Sequence, residues 1–163
     1  MEHKPSPVIR PESLSSPVSS ALIARLNEEL SGRYPEAGAT HFRLDPHEVA
    51  PGVGVFLVAY DGEAPVGCGA LRGLDAATME IKRMFVVPEG RRRGIGRALL
   101  RALLEQARAL GRARVVLETG VRQGEAITLY EQEGFVRIPL FGEYLGASLS
   151  VCMERRIAGI APA

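Results

Sequence analysis

Nothing in this chain is present in the excess that would announce a class. Lys and Arg number 20 against 19 Asp and Glu, a formal net charge of +1, so no global field draws it to nucleic acid or to an anionic membrane. Aromatic residues make up 6%, whereas a nucleic-acid reader needs exposed aromatics and a basic excess over a wide face. Cysteine is scarce: Cys68 and Cys152 stand far apart in apolar runs, with no CxxC spacing. That excludes a disulfide framework and a zinc site, and predicts buried thiols in a reducing compartment. No apolar stretch reaches the ~18 residues of a membrane span, and the opening MEHKPSPVIRPESLSSP has no apolar core of a secretory signal. The expectation is a cytoplasmic protein with no nucleic acid, membrane or metal as partner.

A length of 163 residues suits one domain, 1–163, with a core of its own. Residues 1–6 are polar and broken by proline, which reads as a frayed end, and PVIR then offers a short first strand. Ser16 is placed as an N-cap ahead of Pro17, and Leu22, Ile23, Leu26 and Leu30 recur at helical spacing up to Gly32. The stretch 33–53 is rich in Pro and Gly and reads as a long surface loop, with one helical turn near DPHEV. Three strands follow in quick succession, GVFLVAYD, PVGCGALRGL and TMEIKRMFVVP, an antiparallel meander. Leu99, Leu100, Leu103, Leu104, Ala107 and Leu110 then mark one face of a helix closed by Gly111. ARVVLET is a strand apolar enough to be buried on both faces. Glu125 to Gln132 forms another helix, closed by Gly134, and GFVRIPLF and SLSVCMERR supply the last strands. A run of strand, Gly-rich turn, helix, strand and helix implies a βαβ crossover. Joined to the meander, it gives an α+β fold with a mixed sheet.

The turn of that crossover is the most informative stretch. VVPEGRRRGIGRALL sets Arg91, Arg92, Arg93 and Arg97 around Gly94 and Gly96 where a helix begins. A helix N-terminus carries unpaired N–H groups and a positive dipole end, so it draws phosphate. Glycine lets the anion come close to the backbone, and arginine adds charge-assisted contacts. The alternative is a tight strand-to-helix turn with a solvated basic face. Two phosphate loops are excluded. A Walker A loop needs Lys-Ser/Thr after the second glycine, where Arg97-Ala98 stands, and a dinucleotide fingerprint needs a third glycine, where Leu99 stands.

RRRGIG resembles the R/Q-x-x-G-x-G/A motif of the GCN5-related N-acetyltransferase (GNAT) superfamily, with Arg91, Gly94 and Gly96 in the motif's places. AITLYEQEGF is similar to that family's A-x-x-LY-x-x-x-GF segment, and the likeness is best over residues 54 to 138. It implies a mostly antiparallel, V-splayed sheet flanked by about four helices, with acetyl-CoA lying where the strand ending at Val87 parts from the strand at Val115 to Glu118. The pyrophosphate would rest on the amides from Arg92 to Ala98, Ile95 among them. Main-chain groups near Phe85, Val86 and Val87 would face the thioester. The activity implied is acetyl transfer from acetyl-CoA to a primary amine by direct attack on the thioester. The alternative is a non-catalytic acyl-CoA sensor of the same fold.

The resemblance also assigns roles. Tyr130 would be the general acid toward the CoA sulfur, and Glu80 a base working through water. Gln123 would stand where the family often has an asparagine that contacts the cofactor, and Arg92 where it often has glycine. Both Tyr130 and Glu80 have plainer readings, as a core aromatic and as a partner of Lys82. His41 and His47 read as surface residues of the long loop. The acceptor pocket is expected from the first helix with Glu28 and Glu29, from RYPEAG, and from FGEYLGAS with Glu143 and Tyr144. Carboxylates there would suit a cationic amine. The C-terminal strands offer a surface for a homodimer.

Overall fold

The computed structural model describes residues 6–39 and 43–157. The fraying expected for residues 1–5 and the reading of His41 lie outside the described residues. Seven strands form one sheet in the order β1-β2-β3-β4-β5-β7-β6. They are β1 (Val8–Pro11), β2 (Val55–Asp61), β3 (Ala64–Gly73), β4 (Thr78–Val86), β5 (Arg114–Gly120), β6 (Val136–Ile138) and β7 (Ser150–Arg156). Every neighbouring pair is antiparallel except β4 with β5. The parallel step is the crossover expected from the sequence.

Three α-helices are found among the described residues, α1 (Pro17–Arg33), α2 (Ile95–Ala109) and α3 (Gly124–Gln132), rather than about four. Among the described residues, the long connection after α1 has a single 3₁₀ turn, Pro46–Val49, because its prolines and glycines break a continuous helix. Ser16 caps α1 as expected, its Oγ accepting from Ser19 N at 3.1 Å. The helix runs through Gly32 for one more residue. In α2 the predicted stripe is the buried face: Leu99, Leu100, Leu103, Leu104 and Ala107 are all shut from solvent. Each such leucine contributes about 1.5–3 kcal/mol of burial. Gly67 and Gly69 of β3 let that face come close, since a Cβ at either would stand 2.9 Å or less from Leu99, Leu103 or Met84. Val115, Val116 and Leu117 are buried, as a central strand requires. Cys68 and Cys152 are free and buried, and burial pushes the Cys68 thiol up to about 12.

One irregularity positions everything that follows. β4 and β5 pair only from Thr78↔Arg114 to Ile81↔Leu117, although β4 runs on to Val86 and β5 to Gly120. Two residues past the last pair, Arg83 has a left-handed φ of 59°. There the β3–β4 register shifts between Cys68 and Ala70. A bulge bends its strand and increases its twist. β4 stays on β3 and departs from β5, which stays on β7, and the sheet opens into a V.

Candidate active site

The strand-to-helix turn beside that opening has an unusual backbone. Gly94 is the N-cap of α2 with φ 77°, and Arg92, two residues earlier, has φ 64°. Glycine takes that conformation freely, and arginine takes it at a cost of about 1 kcal/mol or more. Arg92 thus keeps the backbone form of the glycine that it replaces in the resemblance. The N–H groups of residues 92–97 donate to no acceptor among the described residues, whereas Ala98 N already donates to Gly94 O at 3.0 Å. This row of N–H groups ends one residue earlier than expected, because Ala98 closes the first helical turn. Gly96 is close-packed rather than open: a Cβ there would meet Leu129 Cδ2 at 3.4 Å and Val86 Cγ2 at 3.6 Å.

The arginines mostly brace this turn. Arg91 Nη2 donates to Glu29 at 2.7 and 2.9 Å, and its Nε donates to Val86 O at 3.0 Å. Arg93 holds Asp61 at 2.7 Å. Arg97 is paired with Glu133 and bonded to Gln132, both at the end of α3. Arg92 is exposed and makes no ion pair among the described residues.

At the mouth of the V lies a cleft of about 110 Å³, lined by Leu26, Leu30, Ile81 to Met84, Glu118 to Gly120, Gln123, Ala126, Tyr130 and Tyr144. The main chain of β4 is offered to it selectively. Val87 N donates to Val66 O at 3.0 Å, so the Val87 amide is already engaged with β3. Peptide groups alternate sides along an antiparallel strand, so Phe85 also faces β3 and Val86 faces the opening. Of the three residues Phe85, Val86 and Val87, Val86 is the one whose main chain faces the opening. A larger cavity of about 380 Å³, beside the Asp61–Arg93 pair, includes neither Tyr130 nor Glu118 nor Tyr144.

Tyr130 lines the cleft with its ring packed 5.8 Å from Phe135, so it is both a core aromatic and a cleft residue. Burial first, and the charge of Glu118 second, hold its hydroxyl above the usual tyrosine range. Its proton therefore stays on at neutral pH. Gln123 is the residue before α3, and its Oε1 accepts from Arg33 Nη1 at 2.7 Å. It borders the cleft with its amide oxygen taken.

Glu80 is not in the lining. It is 0% exposed, receives Arg72 Nε at 2.9 Å and Nη2 at 2.7 Å on one oxygen, and Tyr144 Oη at 2.6 Å on the other. The carboxylate that does line the cleft is Glu118, whose Oε2 accepts from Ser150 Oγ at 2.6 Å. The sequence held one sign of it, a lone acid directly after the apolar run VVL. None of the expected acceptor carboxylates is in that lining: Glu29 is held by Arg91 and Arg33, Glu143 by Lys82 at 2.9 Å, and Glu28 is exposed away from it. Tyr144 does line the cleft, as expected. His47 is exposed in its 3₁₀ turn.

Comparison with known proteins finds the following similarities. The acetyltransferase (GNAT) family profile matches residues 20–135. The IAA acetyltransferase of Azospirillum brasilense is 40% identical over 144 residues, covering 86% of this chain and 93% of its own length. A crystal structure of a protein from Klebsiella pneumoniae has a TM-score of 0.78 at 28% identity and covers 92% of this chain and 97% of that one. The fold is also that of a GNAT acetyltransferase from Elizabethkingia anophelis with acetyl-CoA bound, at TM-score 0.69 and 18% identity, covering 93% and 99%.

Proposed function

The chain belongs to the GNAT acetyltransferase family, and from that premise we propose that it moves the acetyl group of acetyl-CoA to a primary amine by direct attack at the cleft between β4 and β5. The observation that carries this is the opening itself, a parallel pair that stops at Ile81↔Leu117 with Tyr130 at its mouth.

The residues fit the cosubstrate. The N–H groups of 92–97 donate to the pyrophosphate oxygens, since they have no other acceptor among the described residues and the α2 dipole adds to them. Unpaired edges of β4 and β5 take the amides of the pantetheine arm as a further strand would. Val86 N–H faces the opening and stabilises negative charge growing on the thioester oxygen. Glu118 accepts a proton from the attacking nitrogen as the C–N bond forms. Tyr130 donates toward sulfur as the C–S bond breaks. A phenol ionises near 10 and a thiol near 8.5, so complete transfer from Tyr130 is uphill by about 2 kcal/mol even before burial raises it. Tyr130 therefore acts chiefly through a hydrogen bond that strengthens with the charge on sulfur.

Free-thiol release from acetyl-CoA with a library of primary amines tests the reaction, with Tyr130→Phe alongside. Release in the presence of an amine, reduced by Tyr130→Phe, is expected. Release indifferent to that change would remove Tyr130 from the reaction.

A further inference from the structure

Two long connections, which are far apart in the chain, meet at one buried carboxylate. Glu80 is opposite Arg72 in the β3–β4 register, and Arg72 donates onward to Glu48 Oε2 at 2.9 Å. Glu48 belongs to the 3₁₀ turn Pro46–Val49, in the connection from α1 to β2. The other oxygen of Glu80 holds Tyr144, in the 3₁₀ turn Gly142–Tyr144 of the β6–β7 connection. That turn has a second anchor on β4, since Lys82 Nζ donates to Glu143 Oε1 at 2.9 Å, and Arg72 Nη2 is 4.0 Å from the same oxygen. In the sheet order β7 and β6 lie beyond β5, so the connection reaches back across β5 to grip β4. Tyr144, at its tip, lines the cleft.

A carboxylate that is shut from solvent and bound on both oxygens has no reach to a substrate proton. Its strength lies elsewhere: breaking a buried pair leaves an uncompensated charge, which is far more disruptive than losing a surface contact. Tyr144 adds to the closure, because burial first and Glu80 second keep its hydroxyl protonated and donating.

We infer that Glu80 is a positioning residue of the acceptor wall: through Arg72 and Tyr144 it fixes the turns at 46–49 and 142–144, and by holding the second it sets Tyr144 on the side of the cleft that receives the amine. The identity of that wall rests on the reaction proposed above, but the fixing of the two turns does not. Glu80→Gln removes the charge and keeps the shape. Tyr144→Phe removes the hydroxyl that links the turn to Glu80.

Hydrogen exchange read by mass spectrometry, without any acceptor, follows peptides covering 46–54 and 141–149. In Glu80→Gln both segments are expected to exchange about tenfold faster, the size expected from losing one charged hydrogen bond, while 92–97 and the acetyl-CoA Kd measured by calorimetry are unchanged. Tyr144→Phe should loosen 141–149 alone, and the double variant should loosen it no more than Glu80→Gln does. With the best amine from the library, KM for the amine should rise about tenfold while the acid limb of the kcat/KM pH profile survives. Unchanged exchange at 141–149 in either single variant overturns the inference. So does loss of the acid limb at constant KM, which would make Glu80 the base. If Glu80→Gln does not fold, Tyr144→Phe decides the matter by its own exchange. A wild-type protein that accepts no amine would sink the proposed reaction and leave the exchange result standing.

Discussion

The two sides of the cleft are built by different rules. The proposed coenzyme side is one short stretch, Val86 to Arg97, and what it offers is mostly main chain: a row of N–H groups made available by left-handed residues at 92 and 94. The proposed acceptor side is assembled from α1, from β4 and β5, and from the 3₁₀ turn at 142–144, and it offers side chains: Leu26, Glu118, Tyr144 and, behind them, Glu80 and Arg72. Backbone recognition needs only the right turn, and therefore survives changes of side chain. Side-chain recognition needs residues that are distant in sequence to arrive together, and it varies when any one of them does.

The sharpest test of that division is at its seam. Tyr130→Phe and Glu118→Gln are each expected to lower kcat about 100-fold, the low end for a positioned proton donor or acceptor, with the acetyl-CoA Kd changed less than about twofold. Equal losses in kcat and in coenzyme affinity would erase the distinction between the two sides. Because the Tyr130 hydroxyl is held above the usual range by burial and then by Glu118, it stays protonated to at least about pH 10. A wild-type kcat that fell below that pH, in a step absent from Tyr130→Phe, would contradict its assignment as donor.

Gly94→Val should act on the coenzyme side alone. The residue has φ 77° with open space around it, so the change is resisted by conformation rather than by a clash. A β-branched residue there costs about 2 kcal/mol, and coenzyme affinity should fall more than tenfold with KM for the amine unaltered. A comparable rise in that KM would mean that the two sides are mechanically joined.

Acid should loosen the acceptor side first. Burial opposes ionisation of Glu48 and Glu143, yet the Asp45 amide with Arg72 in one case, and Lys82 in the other, hold both below their ordinary 4.5. Their contribution is whole above that value and is lost as pH falls through the depressed folded-state values. Exchange at 46–54 and 141–149 should rise below about pH 4, ahead of 92–97. The opposite order would reverse the comparison.

What the sequence made legible follows the same line. Strands, helices, the Ser16 cap and the crossover were readable because periodicity and capping are local. So was the Arg91 to Arg97 turn, and Tyr130 was readable through its helix. Three features were not. Val87 and Ala98 were expected to present free amides, but ladder and helix bonds that only the assembled sheet reveals had already taken them. Glu80 had the right residue type on the right strand, but burial and partners contributed by residues 72 and 144 close it off. The expected carboxylates at 29 and 143 were real but already neutralised by cations from other elements.

Arg92 gives the smallest and most discriminating effect, because it belongs to the coenzyme side twice over, by its backbone and by its charge. Its φ of 64° is one that glycine adopts without strain, so Arg92→Gly relieves about 1 kcal/mol in the folded state. It also gives the unfolded chain more freedom, worth about 0.5–1 kcal/mol in the other direction. These nearly cancel, and Tm should move by less than about 3 °C in a chain of this size. The charge does not cancel. An exposed cation that makes no ion pair among the described residues is left to attract phosphate, and its loss should weaken acetyl-CoA binding about threefold at low salt. Near 1 M salt, where the screening length is about 3 Å, the difference should vanish. A loss that persists at high salt would mean that Arg92 contacts the coenzyme at short range, and that this side too depends on a particular side chain.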